Sequence, residues 1–362
     1  MVQGKLKDIL AEFADSARYF EVLPEKDGVK RTRCTLCPRD CIVREGAFGY
    51  CGVRGTFGGE LKTFIYGRPS SFAVDPVEKK PLYHFYPGSL VLSMGTIGCN
   101  MRCKHCQNWT ISFAKYQTDY GLLTREKVTA DEIISLTRKH GAIGVSFTYN
   151  EPTIWFEYVF DVFERVKEKT NFYTCAVTNA FINEEPLHEL LKVTDAYRAD
   201  LKTVRAKNMV RLTQFNKPET VLKAISIAAK AETHLEVVTN LITNWNDSEE
   251  EIREMAQWMR DNVPSTTPWH FTRYFPHAEL REPPTPLSTL IKAKEIAKDY
   301  GFKFVYIGNV SGVDDNTYCP QCGTVAVERY GYDARVLMED GRCKKCGTSL
   351  PFTGVGNQVP LG

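Results

Sequence analysis

The chain has 362 residues and a formal net charge of +2; 43% of its residues are hydrophobic and 25% are charged. This composition is typical of a globular protein, and the small net charge gives no reason to expect nucleic acid or an anionic membrane as a partner. No apolar run approaches the roughly 20 residues of a transmembrane helix, and the start of the chain lacks the apolar core of a signal peptide. We therefore expect a cytoplasmic protein with one large domain and small additions.

The twelve cysteines are the most informative part of the composition. Eleven of them fall into three groups at short spacing, and Cys175 stands alone. In a cytoplasmic chain such grouping indicates metal binding rather than a disulfide framework. Cys175 lies inside a predicted strand, and we interpret it as a small core residue.

The N-terminal extension, residues 1–75, is predicted to begin with an amphipathic helix, because apolar residues recur at helical spacing up to Phe13. A strand is predicted at 61–66, followed by a connector from Pro69 to Pro87 that is punctuated by prolines.

Four cysteines of this extension have the spacing Cys-x2-Cys-x3-Cys-x9-Cys; they are Cys34, Cys37, Cys41 and Cys51. Four thiolates close a tetrahedral zinc site or hold a complete iron–sulfur cube. Both readings stay open, and because neither leaves a free coordination position, we expect a structural or electron-transfer role.

The middle segment, residues 76–310, alternates apolar runs with helical patterns. Predicted strands lie at 89–95, 143–148, 171–178, 195–201, 234–240, 268–275 and 302–308. Predicted helices lie at 129–140, 154–168, 184–192, 217–230, 247–262 and 287–300. This alternation predicts an α/β fold with a parallel sheet covered by helices. Periodicity does not distinguish a closed barrel from an open sheet.

A loop with the spacing Cys-x3-Cys-x2-Cys follows the first of these strands and contains Cys99, Cys103 and Cys106. An iron–sulfur cube takes one thiolate per iron, so three thiolates leave one iron open. An open metal position can bind a small molecule, as catalytic metal sites do. A zinc loop is the alternative, but zinc needs a fourth ligand, and His105 is too close in sequence to serve easily.

This loop, with an aromatic residue (His105) before its last cysteine, resembles the signature of the radical SAM superfamily. The resemblance implies a partial (βα)6-type barrel, with a [4Fe-4S] cluster on the three cysteines and S-adenosylmethionine (SAM) on the open iron. It further implies that the cluster reductively cleaves SAM to a 5′-deoxyadenosyl radical, which abstracts hydrogen from a substrate. An external donor such as a ferredoxin or flavodoxin would supply the electron.

The resemblance also implies residues that bind SAM at the ends of the strands. They are His105, Asn108, Asn150, Glu151, Asp200, Lys202, Asn240 and His277. Glu151 stands where the family has the glutamate of its Gly-Gly-Glu motif, although Tyr149 and Asn150 replace the glycines. Asp200 and Lys202 match an Asp-x-Lys motif of the enzymes that activate glycyl radical enzymes. The alternatives are a helix start with Asn150 as its cap, and a routine ion pair at 200–202.

The C-terminal segment, residues 311–362, carries two Cys-x2-Cys-Gly knuckles, formed by Cys319, Cys322, Cys343 and Cys346. A segment this small buries little core, so we expect a metal to supply its folding energy. We predict a zinc ribbon, with a rubredoxin-like iron site as the alternative, that serves as a scaffold or covers the mouth of the barrel.

The combination of motifs resembles one subgroup, the radical SAM protein of the AmmeMemoRadiSam system, which is similar to pyruvate-formate-lyase-activating enzyme. This implies hydrogen abstraction from an unidentified substrate, with a protein or peptide, or a Memo-like or AMMECR-like partner, among the candidates. Activation of a glycyl radical enzyme is one alternative. A non-catalytic, metal-stabilised interaction or electron-transfer module is another; it predicts three saturated metal sites. A zinc hydrolase is disfavoured, because the seven histidines show no suitable spacing.

Overall fold

The computed structural model describes residues 13–113 and 126–355. The helix predicted at the start of the chain falls, except for Phe13, outside these ranges. No helix in the described parts of the chain is long and apolar enough to cross a membrane.

The N-terminal region folds into two small antiparallel sheets. Its strands are β1 (Asp15–Ser16), β2 (Phe20–Lys26), β3 (Val29–Cys34), β4 (Ile42–Arg44), β5 (Arg54–Phe57) and β6 (Glu60–Thr63). One sheet has the order β2-β3-β4 and the other β1-β6-β5. Asp27 and Gly28 both have positive φ, 55° and 70°, which suits the tight turn between β2 and β3. The strand predicted at 61–66 corresponds to β6.

A mostly parallel sheet forms the centre of the molecule. Its strands are β7 (Ser71–Pro76), β8 (Leu90–Gly95), β9 (Gly144–Phe147), β10 (Tyr173–Thr178), β11 (Ala196–Asp200), β12 (His234–Leu241), β13 (Trp269–Arg273) and β14 (Val305–Gly308). They are ordered β14 to β7 across the sheet, and all neighbours from β8 to β14 run parallel. Every residue of β9 and β10 is buried, as expected for strands covered on both faces. All seven predicted strands are confirmed.

The helices lie between these strands in sequence. They are α1 (Trp109–Ser112), α2 (Ala130–Lys139), α3 (Phe156–Lys169), α4 (Glu184–Lys192), α5 (Ala206–Thr213), α6 (Pro218–Ala228), α7 (Glu249–Asn262) and α8 (Leu287–Asp299). The six predicted helices are confirmed as α2, α3, α4, α6, α7 and α8. α5 was not predicted; it ends where Gln214 adopts a left-handed conformation at φ 60°.

The predicted connector from Pro69 to Pro87 is wrong in part, because it contains β7. This strand pairs antiparallel with β8 over Ser71–Pro76 and forms an edge of the sheet. A proline is tolerated at an edge, where a strand needs no donor on its outer side. Pro76 is the last residue of the strand. The prolines that suggested a connector therefore flank or end a strand.

The central sheet is open in its hydrogen bonding, since no pairing joins β14 to β7 within the described residues. The partial barrel and the boundaries at residues 75 and 310 stay predictions.

The C-terminal region forms a three-stranded antiparallel sheet of β15 (Thr317–Tyr318), β16 (Val325–Tyr330) and β17 (Asp333–Val336). Its apolar side packs on Phe304 and Tyr306 at the start of β14. Phe352 stacks on His84 with the ring centroids 4.0 Å apart. These contacts lie at the amino ends of the strands, whereas the loop of Cys99 follows the carboxyl end of β8. The expectation that this region covers the mouth is therefore wrong, because its apolar residues find their partners at the opposite end.

Candidate functional site

The loop that carries Cys99, Cys103 and Cys106 connects β8 to α1 and is held by asparagine side chains. Asn150 donates from Nδ2 to the Gly98 carbonyl at 2.9 Å and accepts from the Thr96 amide at 3.2 Å. Asn108 donates from Nδ2 to the Tyr149 carbonyl at 2.6 Å. Two residues that the sequence analysis assigned to SAM thus fix the loop to the end of β9.

The other side of the loop is held by backbone groups of two further segments. The Lys104 amide donates to the Leu212 carbonyl at 3.0 Å, and the Arg102 amide donates to the Thr213 carbonyl at 3.3 Å. Both carbonyls lie at the end of α5, where helix carbonyls lack partners inside the helix. The Leu280 amide, in the loop after β13, donates to the Lys104 carbonyl at 3.0 Å. The missed helix α5 therefore positions the cysteine loop.

Asp200, at the end of β11, forms a charged group with Arg198 and Lys202. Its carboxylate accepts from Lys202 Nζ at 2.8 Å and also from Arg198. Burial raises the pKa of Asp200, but the two cations outweigh burial and bring the pKa to about 2. Asp200 is therefore ionised at neutral pH.

Lys202 lies close enough to the cysteine loop to interact electrostatically with its side chains. Burial raises the pKa of the Cys103 thiol to about 12, and the Lys202 cation opposes this shift. Burial lowers the pKa of His105 to about 3, and Lys202 acts in the same direction, so His105 is neutral at neutral pH. Cys103, His105, Asp200 and Lys202 thus lie close enough to interact electrostatically, and their roles toward a cluster or SAM stay predictions.

Glu151 is buried, with its carboxylate engaged by the protein. It accepts from the Thr178 hydroxyl at 2.7 Å and from the amides of Thr153 and Asn179 at 3.0 and 2.8 Å. Glu151, rather than Asn150, caps the short 3₁₀ turn Pro152–Trp155. The alternative in which Asn150 is the cap is therefore wrong. The hydrogen bonds of Glu151 to Thr178 and Asn179 also join the ends of β9 and β10. The contact between Glu151 and SAM stays a prediction.

The remaining predicted residues lie at neighbouring strand ends. Asn240, in β12, donates to the carbonyl and hydroxyl of Thr272 at 3.1 and 3.0 Å. His277 belongs to the loop after β13 that contacts Lys104, and its carbonyl accepts from the Leu280 amide at 3.1 Å. Their roles toward SAM stay predictions.

The four C-terminal cysteines form a compact group. Their sulfurs all lie within 4.8 Å of one another, with Cys319 and Cys346 at 3.6 Å and Cys322 and Cys343 at 3.5 Å. A hydrogen bond with the Thr324 hydroxyl lowers the pKa of the Cys322 thiol to about 6. A zinc ion with bonds of about 2.3 Å separates its sulfur ligands by about 3.8 Å, so this group suits a single metal ion.

Comparison with known proteins places this geometry in a family. Residues 94–259, which include the cysteine loop and Asp200, match the radical SAM superfamily. This segment of the chain belongs to the radical SAM superfamily. The chain is also 37% identical over 342 residues to the uncharacterized protein MJ0808 of Methanocaldococcus jannaschii, which covers 92% of this chain and 98% of that protein.

Three solved structures are similar to parts of this chain at low sequence identity. A domain of pyruvate-formate lyase-activating enzyme from Bacteroides vulgatus is 21% identical, with a TM-score of 0.40 over 46% of this chain and 99% of that chain. Streptococcus suis SuiB bound to S-adenosylmethionine is 17% identical, with a TM-score of 0.46 over 66% and 54%. A radical SAM methyltransferase from Sphaerobacter thermophilus is 14% identical, with a TM-score of 0.49 over 89% and 85%. At these TM-scores the likeness adds nothing to the assignment, which comes from the family match.

Membership of the radical SAM superfamily implies a [4Fe-4S] cluster and SAM, and the residues of the loop fit both. The thiols of Cys99, Cys103 and Cys106 lie close enough to interact electrostatically. The buried Nδ1 of His105 has no hydrogen-bond partner within the described residues. A group bound at the loop would therefore meet three sulfurs and the buried Nδ1 of His105. The Asp200–Lys202 pair lies beside them.

Gly98, at the start of the radical SAM loop, is expected to tolerate no side chain. Its φ is +86°, and a Cβ there would lie 2.6 Å from the Cys51 carbonyl oxygen. An alanine at any glycine with positive φ strains the backbone. Because the Cβ of Gly98→Ala also clashes with Cys51, we expect it to lower the free energy of unfolding by about 1–3 kcal/mol more than an alanine at an uncrowded glycine of this kind, which is the usual cost of overpacking. Iron content after reconstitution should fall as well.

Gly141→Ala is the matched control, since Gly141 has φ +67° and nothing within 4 Å of its added Cβ. Thermal unfolding and iron content of both variants check the prediction. Equal destabilisation by the two substitutions would show that the close approach of Cys51 to the loop is unimportant.

Proposed function

We propose that this chain is an enzyme that binds a [4Fe-4S] cluster through Cys99, Cys103 and Cys106 and cleaves SAM to initiate radical chemistry. Cys99, Cys103 and Cys106 would hold the cluster, which when reduced would supply the electron for reductive cleavage of SAM and so for the radical that abstracts hydrogen from a substrate. The observation that carries this proposal is the position of the Asp200–Lys202 pair beside a loop with only three cysteines. A fourth protein ligand would have favoured a saturated, non-catalytic site.

Asp200 and Lys202 provide complementary charges for the methionine end of SAM. Lys202 is a cation that pairs with a carboxylate, and the ionised Asp200 accepts hydrogen bonds from an ammonium group. Arg198 remains as a partner of Asp200 when Lys202 turns toward a ligand. The pair is thus held in place before SAM binds, which reduces the entropy lost on binding.

The side chains of two asparagines and Glu151 hold the loop and the ends of the strands together. Asn108 and Asn150 hold the loop to the end of β9, and Glu151 holds β9 to β10. Buried side chains with satisfied hydrogen bonds keep functional groups in a productive geometry. We assign Glu151 and Asn150 primarily to positioning, and a direct contact of Glu151 with SAM remains part of the proposal.

The substrate class follows only from the resemblance to the AmmeMemoRadiSam enzyme. We retain hydrogen abstraction from a protein or peptide, an external ferredoxin or flavodoxin as donor, and a Memo-like or AMMECR-like partner as parts of this proposal. Activation of a glycyl radical enzyme is the second candidate, and it is favoured by the match of Asp200 and Lys202 to the Asp-x-Lys motif.

The proposal is tested by SAM binding to the reduced, anaerobically reconstituted protein. We expect the electron paramagnetic resonance spectrum to change when SAM is added, because SAM becomes a ligand of the open iron. An unchanged spectrum, together with no retention of SAM by the protein, would contradict the proposed function.

Lys202→Met is expected to raise the SAM concentration needed for half-saturation by about 10- to 100-fold, since a hydrogen bond to a charged group contributes about 1.5–3 kcal/mol. Lys167→Met is the matched control. Lys167 pairs at 2.6 Å with Asp195, immediately before the other end of β11. Equilibrium binding of SAM to both variants checks the prediction. An unchanged affinity in Lys202→Met would remove Lys202 from the SAM site.

A further inference from the structure

The four N-terminal cysteines surround a cavity between the β2-β3-β4 sheet and the radical SAM loop. Cys34 ends β3, Cys37 and Cys41 lie between β3 and β4, and Cys51 precedes β5. All four line one cavity together with the apolar side chains Leu36, Val43 and Ile154. The fold therefore brings together cysteines that are up to 17 positions apart in the sequence.

The separation of these sulfurs distinguishes the two metals that the sequence left open. Within residues 13–113 and 126–355, the C-terminal cysteines are the only Cys, His, Asp or Glu group of three or more with all ligand atoms within 4.8 Å. A single zinc ion needs sulfurs about 3.8 Å apart. The N-terminal cysteines do not form such a compact group.

The radical SAM loop of the same chain provides an internal reference for wider spacing. Cys99, Cys103 and Cys106 do not form such a compact group either, and the family implies a [4Fe-4S] cluster there. Each thiolate of such a cluster binds a different iron, so the sulfurs are separated by the width of the cube. The N-terminal cysteines thus share the open spacing of the cluster loop rather than the closed spacing of the C-terminal group.

Two arginines at the cavity point to an anionic occupant. Arg54 lines the cavity with a side chain that is 2% exposed, and its Nε has no hydrogen-bond partner within the described residues. The buried Nη2 of Arg39, also at the cavity, likewise lacks a partner there. Glu157 neutralises part of the Arg54 charge at 2.9 Å. A cube with four thiolates carries net negative charge, which suits these two cations.

We propose that Cys34, Cys37, Cys41 and Cys51 hold a second [4Fe-4S] cluster, in which every iron has a protein ligand. The cluster lies directly behind the radical SAM loop, since Asn100 lines the same cavity and follows Cys99 in sequence. Four protein ligands leave no open iron for SAM, so this cluster serves electron transfer or structure. The inference takes its reference spacing from the family's cysteine loop and does not depend on SAM cleavage.

The test removes the radical SAM cysteines by combining Cys99→Ala, Cys103→Ala and Cys106→Ala. After anaerobic reconstitution we expect this variant to keep about four irons and about four sulfides per chain, together with about one zinc. Further replacement of Cys34 and Cys51 by serine should remove the remaining iron and sulfide. A triple variant without sulfide, whether it holds a second zinc or no second metal, would overturn the proposal.

A second variant keeps the test decisive if the triple variant does not fold. Replacing Cys37 and Cys41 by serine in the otherwise intact chain should lower iron from about eight to about four atoms per chain. Cys175→Ser, at a cysteine buried inside β10, is the control and should leave the iron content unchanged. Unchanged iron in the Cys37 and Cys41 variant would overturn the proposal. An intact chain that holds both clusters but does not cleave SAM would contradict only the proposed function.

Discussion

Replacing Cys103 by alanine is expected to abolish SAM cleavage. The substitution removes one of three thiolates, and the loop then offers two ligands to a cluster that needs one per iron. Loss of a residue that merely supports a metal ligand costs about 10–100-fold in affinity or activity, so loss of the ligand itself should exceed about 100-fold. The measurement is 5′-deoxyadenosine formed under dithionite with SAM.

Cys175→Ala is the matched control for the Cys103 substitution. Cys103 is partly buried, whereas Cys175 is buried within β10, away from the three cysteine groups in sequence. This variant should lose some stability and still produce 5′-deoxyadenosine. Cleavage retained by Cys103→Ala would overturn the assignment of the central site.

Cys322→Ser is expected to lower stability far more than it changes the chemistry. The C-terminal cysteines lie within 4.8 Å of one another, and the apolar cluster around them is small. Structural zinc supplies roughly 10–16 kcal/mol of binding free energy in zinc-finger peptides, so losing one ligand should unfold this region. Limited proteolysis after residue 311 and thermal unfolding measure the effect.

SAM cleavage by Cys322→Ser tests whether the C-terminal cysteine group contributes to the chemistry at the radical SAM loop. The C-terminal region contacts the amino ends of the strands, so the surviving folded protein should still form 5′-deoxyadenosine at a rate near that of the unaltered chain. Wild-type thermal stability in this variant would contradict the structural role of the metal. A chelator that removes zinc should reproduce the variant's loss of stability.

The elements of the central sheet were predictable because their signals are local. Continuous apolar runs such as Gly144–Phe147 and Tyr173–Thr178 predicted buried parallel strands, and the structure confirms them. The turn at Asp27-Gly28 carries the usual signal of a two-residue hairpin and could have predicted β2 and β3. β7 was not predicted because the prolines around it, and Pro76 at its end, are typical of a connector, although an edge strand accepts a proline.

The hydrogen bonds that position the loop were not predictable, because they join residues far apart in sequence. Asn108 reaches the Tyr149 carbonyl across 41 positions, and the Lys104 amide reaches the Leu212 carbonyl at the end of a helix that was missed. No local pattern distinguishes an asparagine that binds SAM from one that holds a loop. The spacing of sulfurs within each cysteine group likewise depends on the fold.

The measurement that tests the central claim most directly is made on protein purified and reconstituted without oxygen. Iron, sulfide and zinc are counted per chain, and SAM is then added with dithionite. We predict that 5′-deoxyadenosine forms and that its formation depends on Cys99, Cys103 and Cys106. A chain that holds only zinc and cleaves no SAM under any reductant would contradict the radical mechanism and favour a metal-stabilised interaction module.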